Sequence, residues 1–226
     1  MAASPITRRT SSIIGIMTFT RRSALATLLA GSVTGQTTAR WISLFDGKSL
    51  KGWKATPFSK HGEVSVKDGT IIIGEGRLTG VTWTGDFPHS GYEIQFEAAR
   101  LNGNDFFAGI TFPVNDSFCS WINGGWGGTV VGLSSLDGDD ASENDTNTAR
   151  DFAKGRWYAF RLRVTKSRIE GWIDGQVVID ADITGRRVGL RPGEIDLSTP
   201  LGFATYSTTA GLRKIKYRLL GSVELK

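Results

Sequence analysis

From Trp41 onward, apolar and polar residues alternate with a period of two, in short runs separated by Gly, Asn and Asp. The runs WISLF, EVSVKDGTIIIG, GYEIQFEAAR, FFAGITFPV, SFCSWI, TVVGLSS, RWYAFRLRVTK, RIEGWIDGQVVIDADI, LGFATYST and GLRKIKYRLLGSVEL read as strands. None sustains a helical period. In Tyr92–Arg100, Tyr92, Ile94, Phe96 and Ala98 fall on one face and Glu93, Gln95 and Glu97 on the other. In RWYAFRLRVTK, Tyr158, Phe160, Leu162 and Val164 form the core side. One buried and one wet face per strand is what an antiparallel sandwich requires. The pairs Asp68-Gly69 and Asp174-Gly175 mark tight hairpins, because both central residues of a type I′ turn need positive φ. The pattern predicts an all-β fold, a two-sheet antiparallel β-sandwich of jelly-roll type.

Composition adjusts this picture in two places. Hydrophobic residues make up 39% of 226, with seven Trp and twelve Phe, enough for a substantial core. The net charge of +5 suggests a basic protein, but residues 1–39 hold Arg8, Arg9, Arg21 and Arg22 and no acid. The rest carries 23 basic against 22 acidic residues, so nucleic acid is not an expected partner. Cys119 is the single cysteine, which excludes an intrachain disulfide and any cysteine-cluster zinc site.

The first 39 residues read as an address. TRRSALATLLAGS joins two arginines to a short apolar stretch, and small residues follow. Arg21-Arg22 suits a twin-arginine export signal, with Met17 as an alternative start and cleavage near Ala39. The apolar part is too short to span a membrane. Residues 40–226 contain no linker-like stretch and read as one β-sandwich domain, exported to the periplasm or beyond.

Candidate chemistry lies in three places. Glu93 and Glu97 stand four residues apart on one strand face, with Gln95 between them and Cα atoms about 13 Å apart at strand rise. Glycosidases work with two carboxyl groups facing one site, so this same-face pair, with His89 just ahead of it, supplies the candidate catalytic acid or base. The alternative is a solvated strand face. Asp137, Glu143 and Asp145 lie in the acidic stretch DGDDASEND and could offer oxygen ligands to Ca²⁺ or Mn²⁺, or simply form a solvated loop. In GGWGG, glycines flank Trp126 and let the backbone approach a ligand closely. Asp105, Trp121, Asn123, Trp126 and Asn144 are the candidate sugar-binding residues, with Gly124–Gly128 shaping the floor. The acylating-serine elbow, the zinc-protease helix, the P-loop and the dinucleotide fingerprint are all missing, so no organic cofactor is expected.

The segments WISLFDGKSLKGW, GYEIQFEAARLNGNDFFAGITFPV, GGWGGTVVGLSSLDGDDASEND and RWYAFRLRVTKSRIEGWIDGQVV resemble the 3-keto-disaccharide hydrolase, or 3-keto-glucoside lyase/hydratase, family. The resemblance runs from about Trp41 to Leu220. It implies a concanavalin A-like sandwich, export, and a saccharide or keto-saccharide ligand. It also implies a reaction in which the C3 ketone acidifies the C2 proton, a base removes it, the C1 substituent leaves and water adds, with a divalent cation or hydrogen-bond donors holding the enediolate. Many members carry N-S-G-I-x-x-R where this chain has Asn104 to Phe112 without the arginine, followed by Pro113. The same features would also suit a non-catalytic sugar-binding module or a scaffold domain of the cell envelope. Export makes one prediction at this level. Intact-mass measurement of secreted protein should show a chain beginning close to Arg40, and retention of Met1 or Met17 would refute the leader.

Overall fold

A computed structural model describes residues 40–225, so the leader expectation falls outside the described residues. The strands, in chain order, are β1 (Ile42–Ser43), β2 (Trp53–Ala55), β3 (Val64–Lys67), β4 (Thr70–Ile73) and β5 (Thr79–Trp83). Next come β6 (Tyr92–Gly103), β7 (Gly109–Val114), β8 (Ser117–Gly125), β9 (Val130–Ser134) and β10 (Thr148–Ala149). The last are β11 (Trp157–Val164), β12 (Arg168–Ile173), β13 (Gln176–Asp182), β14 (Gly202–Thr205) and β15 (Thr208–Leu219). A 3₁₀ turn, Glu194–Ser198, precedes β14.

The strands form two antiparallel sheets. The first runs β13-β12-β11-β6-β15-β4-β3, with β1 added to β15, and the second runs β10-β9-β8-β7-β14-β5-β2. The two Asp-Gly turns take the positive φ their sequence demands: 48° and 75° at Asp68 and Gly69, 52° and 79° at Asp174 and Gly175. They close the β3–β4 and β12–β13 hairpins. The two-sheet sandwich is therefore the one the alternation predicts. Three strands lay below the sequence signal. β2 and β10 are three and two residues long, and β5 is interrupted by Gly80. The final run stops short as well, since β15 ends at Leu219 and residues 222–225 form a turn.

The core is an aromatic seam between the sheets. Phe96 of β6 stacks on Phe160 of β11 with ring centroids 4.8 Å apart, and meets Phe203 of β14 edge-on at 4.8 Å. Trp121 of β8 lies across the seam, edge-on to Phe160 at 5.8 Å. At Gly171 of β12 a Cβ would press on the Trp121 ring at about 3.0 Å, so the glycine gives the indole its place against the opposite sheet. The Tyr92 hydroxyl, fully buried, donates to the Pro113 carbonyl at 2.6 Å and joins β6 to β7.

The outer face of the second sheet differs from that of the first. It carries small and hydroxyl residues, Thr82, Thr111, Ser120, Gly132 and Ser134, and the polar ones are buried. The connection from β13 to β14 lies over them. Ser135 and Gly189 exchange backbone hydrogen bonds at 2.8 and 3.1 Å, Ser117 Oγ donates to Val188 O, and Thr82 Oγ1 donates to Leu197 O. Between this cover and the strands a cleft remains.

Phe96→Ala should remove the contact shared by both sheets. Its cost is expected at about 3–5 kcal/mol, the usual range for a buried phenylalanine, read as a lower urea midpoint with an unchanged slope.

Candidate functional site

The cleft over the second sheet has a volume of about 630 Å³, within the range of small-ligand sites. Ser120 and Ile122 of β8 and Ser134 of β9 form its floor, since they alternate with the core residues Cys119, Trp121 and Leu133. Phe106, Trp126 and Tyr206 supply aromatic walls. Trp126 is 42% exposed and Tyr206 38%, and the rings of Phe106 and Tyr206 lie 6.0 Å apart. Charged groups of both signs complete the lining: Asp105, Asp140 and Glu194 against Arg77 and Arg191.

Asp140 is a half-buried carboxylate of this set, its side chain 15% exposed. Oδ1 accepts from Ser134 Oγ and from the Ala141 N–H, and Oδ2 pairs with Arg191 Nη1 at 2.9 Å. Arg191 also lies 5.9 Å from the Trp126 ring centroid, so one guanidinium links the acid to the aromatic wall. Glu194 accepts the Ser59 backbone N–H at 3.2 Å. Hydrogen bonds from the Ser59 side chain and backbone, with the charge of Arg77 added, hold its carboxyl below the usual range. Acids fixed by donors beside free aromatic faces suit a polyhydroxylated ligand, whose hydroxyls need acceptors and whose C–H faces need apolar area.

The GGWGG loop is held from beneath by Arg100, a 4% exposed guanidinium on β6. It donates to Gly124 O at 3.2 Å, Gly128 O at 2.9 Å and Phe152 O at 3.4 Å, and its carbon sits 5.1 Å from the Phe107 ring centroid. Burial lowers the Arg100 pKa from its ordinary value, with the charge of Asp105 opposing. Gly124 takes φ 78°, and a Cβ there would strike the Arg100 guanidinium. Asn104 and Asp105 grip Gly127, through Nδ2 to its carbonyl at 3.0 Å and through Oδ2 from its N–H at 3.3 Å. Trp126, at φ 48°, is thereby presented outward on a clamped loop.

Of the residues picked from sequence, Asp105 and Trp126 line the cleft. Trp121 and Asn123 do not, because both are fully buried on the core side of β8. Asn123 Nδ2 donates to Ala108 O at 2.9 Å. Asn144 is a loop staple. Its Nδ2 donates to Leu133 O and Asp140 O, and its Oδ1 accepts the Thr146 N–H and hydroxyl.

Glu93 and Glu97 belong to β6, in the first sheet, and lie across the core from the cleft. Neither is a free base. Glu93 is 2% exposed among Arg218 at 3.0 Å, Arg163 at 3.6 Å and Arg161 at 3.9 Å. For Glu97, burial pushes the carboxyl up, but hydrogen bonds and charge from Lys214 and Arg213 prevail and hold it below its ordinary value. His89 is exposed at the end of the sandwich, its Nδ1 2.7 Å from Asn115 O, and lies outside the cleft.

The proposed metal donors do not fit a cation. Arg186 pairs with Asp137 at 2.8 Å and with both oxygens of Asp145 at 2.9 and 3.0 Å, while Glu143 is exposed apart from them. Two of the three carboxylates thus already hold a guanidinium. Among the described residues, no group of three or more His, Cys, Asp or Glu is placed to hold a metal ion.

Arg191, Glu194, Arg77, Ser120, Ser134, Asp140 and Tyr206 were missed. The serines had a usable signal, being polar residues on the wet face of SFCSWI and at the end of TVVGLSS. Arg191 to Glu194, RPGE, had only its opposed charges beside a Pro-Gly pair.

A family model described as the 3-keto-alpha-glucoside-1,2-lyase-like domain matches residues 40–218. No curated protein sequence matches the chain. Among solved structures, a putative glycosyl hydrolase from Parabacteroides distasonis is similar at TM-score 0.52 and 14% identity, over 80% of this chain and 94% of that one. The Crh5 transglycosylase in complex with NAG is similar at TM-score 0.55 and 15% identity, over 81% and 85%. A galectin-like protein of unknown function from Bacillus subtilis reaches TM-score 0.53 at 10% identity, over 75% and 90%. At these identities the likeness is one of fold.

The arginine pairings set an acid limit to stability. Glu224 is drawn down to about 2, first by its hydrogen bond from Arg218 and then by the Gly221 N–H. A carboxyl depressed in the folded state stabilises above its unfolded pKa, and that stabilisation is lost as pH falls through the folded value. The melting temperature should therefore drop between roughly pH 4.5 and pH 2. Glu224→Gln should flatten that drop in a calorimetric pH series, and an unchanged slope would count against the pairing.

Proposed function

Because the chain belongs to the 3-keto-alpha-glucoside-1,2-lyase-like domain family, we propose that it cleaves oxidised glycosides in the cleft over the second sheet. One arrangement carries this reading: Asp140, paired with Arg191, stands in the same cleft as the aromatic residues Phe106, Trp126 and Tyr206. A 3-keto-glycoside would rest its ring against the aromatic wall, with the C2–H directed at Asp140. Asp140 takes the C2 proton, and the electrons of that bond form an enolate whose charge sits on the C3 oxygen. Arg191, the ion-pair partner of Asp140, supplies positive charge for that oxygen, and Arg77 also lines the cleft. Collapse of the enolate restores the ketone, forms the C1=C2 bond and expels the C1 oxygen, which leaves with a proton. Water adding its hydroxyl to C1 and its proton to C2 completes a net hydrolysis. We place this activity outside the cytoplasm, in keeping with the expected leader.

The Asp140–Arg191 ion pair also favours a second reading. A carboxylate already matched by a guanidinium anchors sugar hydroxyls well without moving a proton, which would make the protein a non-catalytic sugar-binding module.

The two readings separate in an NMR time course with 3-keto-glucosides and their unoxidised parents. The enzyme reading expects cleavage of the keto sugars alone. Asp140→Asn should then lower kcat at least about 100-fold, the usual contribution of a general base, with little change in melting temperature. Trp126→Ala should act mainly on KM. Resonance shifts on sugar addition without any product would make the chain a binding module, and full turnover by Asp140→Asn would move the base elsewhere.

A further inference from the structure

The outer face of the first sheet carries a second cleft, of about 340 Å³, lined by Gln95, Glu97, Ala159, Arg161, Trp172, Lys214 and Lys216 among others. The register across β11, β6 and β15 sorts its charges into rows. In one row Arg163, Glu93 and Arg218 lie side by side. In another, Ala159, Glu97 and Arg213 do. Each of these rows has a carboxylate at its centre, and each carboxylate is paired with the cation beside it on β15. The row between them reads Arg161, Gln95, Lys216. Its centre is a neutral amide, so two cations flank a position that bears no negative charge.

The two cations of this middle row are weakly matched. The nearest acid to Arg161 is Glu93, at 3.9 Å, and Glu93 is held more closely by Arg163 and Arg218. Arg161 Nε is buried without a hydrogen-bond partner. Lys216 has no ion pair among the described residues; its Nζ lies 4.9 Å from the Trp41 ring centroid. Two strand spacings set the Arg161 and Lys216 backbones about 9.6 Å apart, and both side chains are long enough to close on one oxyanion above Gln95. The row continues onto β12 and β13 as an apolar shelf. Trp172, with the Arg161 guanidinium 3.7 Å from its ring centroid, pairs across the strands with Val177, which is 59% exposed.

We propose that this face is a second ligand site, which takes a saccharide bearing a carboxylate or sulfate group. The anion lies between Arg161 and Lys216, where its two neighbouring rows already place a protein carboxylate, and the sugar ring lies over Trp172 and Val177. Charge alone would suit any polyanion, but the apolar shelf beside a single anion position favours one sugar residue over a continuous phosphate backbone. The site is separated from the proposed catalytic cleft by the whole core and does not depend on it.

Calorimetric titration of the full-length mature protein at low salt tests this with five probes: trigalacturonate, a sulfated galactose trimer, the neutral galactose trimer, inorganic sulfate and a single-stranded oligonucleotide. One of the two anionic sugars should bind at least tenfold more tightly than the neutral trimer and than inorganic sulfate, and added salt should weaken it. Which of the two prevails identifies the anion. Gln95→Glu places a fixed carboxylate in the middle row, so it should weaken that binding at least tenfold while leaving the turnover of keto sugars unchanged. It also removes the Gln95 Nε2 hydrogen bond to Glu93 Oε1 at 3.2 Å, so a lower melting temperature is expected with it. Lys216→Gln, a change at a half-exposed side chain, should weaken it as well and serves if Gln95→Glu fails to fold. Equal binding of the neutral trimer, unchanged binding by both variants, or tighter binding of a single-stranded oligonucleotide than of either sugar would overturn the proposal. Loss of keto-sugar turnover with anionic-sugar binding intact would count against the catalytic reading alone.

Discussion

Phe96 stands at the centre of the sandwich, stacked on Phe160 in its own sheet and edge-on to Phe203 in the other. This contact binds the two sheets, and it also fixes which way every other side chain of β6 points. A strand has two faces, and once Tyr92, Ile94, Phe96 and Ala98 are committed to the core, Glu93, Gln95 and Glu97 have only the outer side left. The same holds for β8, where Cys119, Trp121 and Asn123 go inward and Ser120 and Ile122 outward. Chemistry borne on strands is thereby sorted onto two opposed outer faces, with the aromatic seam between them.

That sorting explains what could be read from the sequence. Alternation identifies the face of a residue within its strand, and it did so correctly for β6 and β11. It does not identify the sheet to which a strand belongs. The Glu93 and Glu97 pair was therefore recognised as outward-facing, yet the cleft over the second sheet lies on the other side of the core. Trp121 and Asn123 failed for a related reason. Beside glycines and a second tryptophan they looked like rim residues, whereas the parity of β8 sends both inward. Trp126 was legible because it lies beyond the last paired residue of β8, where glycine backbone rather than strand parity decides its direction.

Charge was the harder part. The acidic stretch after β9 invites a cation, and the cation it receives is a side chain of this protein. Arg186 and Arg191 reach Asp137, Asp145 and Asp140 from a connection some fifty residues later in the chain. Local composition shows the carboxylates and hides their partners, because the partners are neighbours only after folding. On the first sheet the opposite case occurs. Glu93 and Glu97 are visible as a potential site, and folding places a basic residue on β15 beside each of them.

The connection between β13 and β14 contributes one entire wall of the cleft, including Arg191 and Glu194, and it hydrogen-bonds to the strands mainly through its own backbone carbonyls and N–H groups. Attachment of that kind is indifferent to side-chain identity. Residues 190–195 can thus be rewritten during divergence without disturbing the seam that holds the sheets together. The scaffold is inherited while the pocket is negotiable, so chains with the same sandwich can differ in what the cleft admits through a handful of codons in one loop.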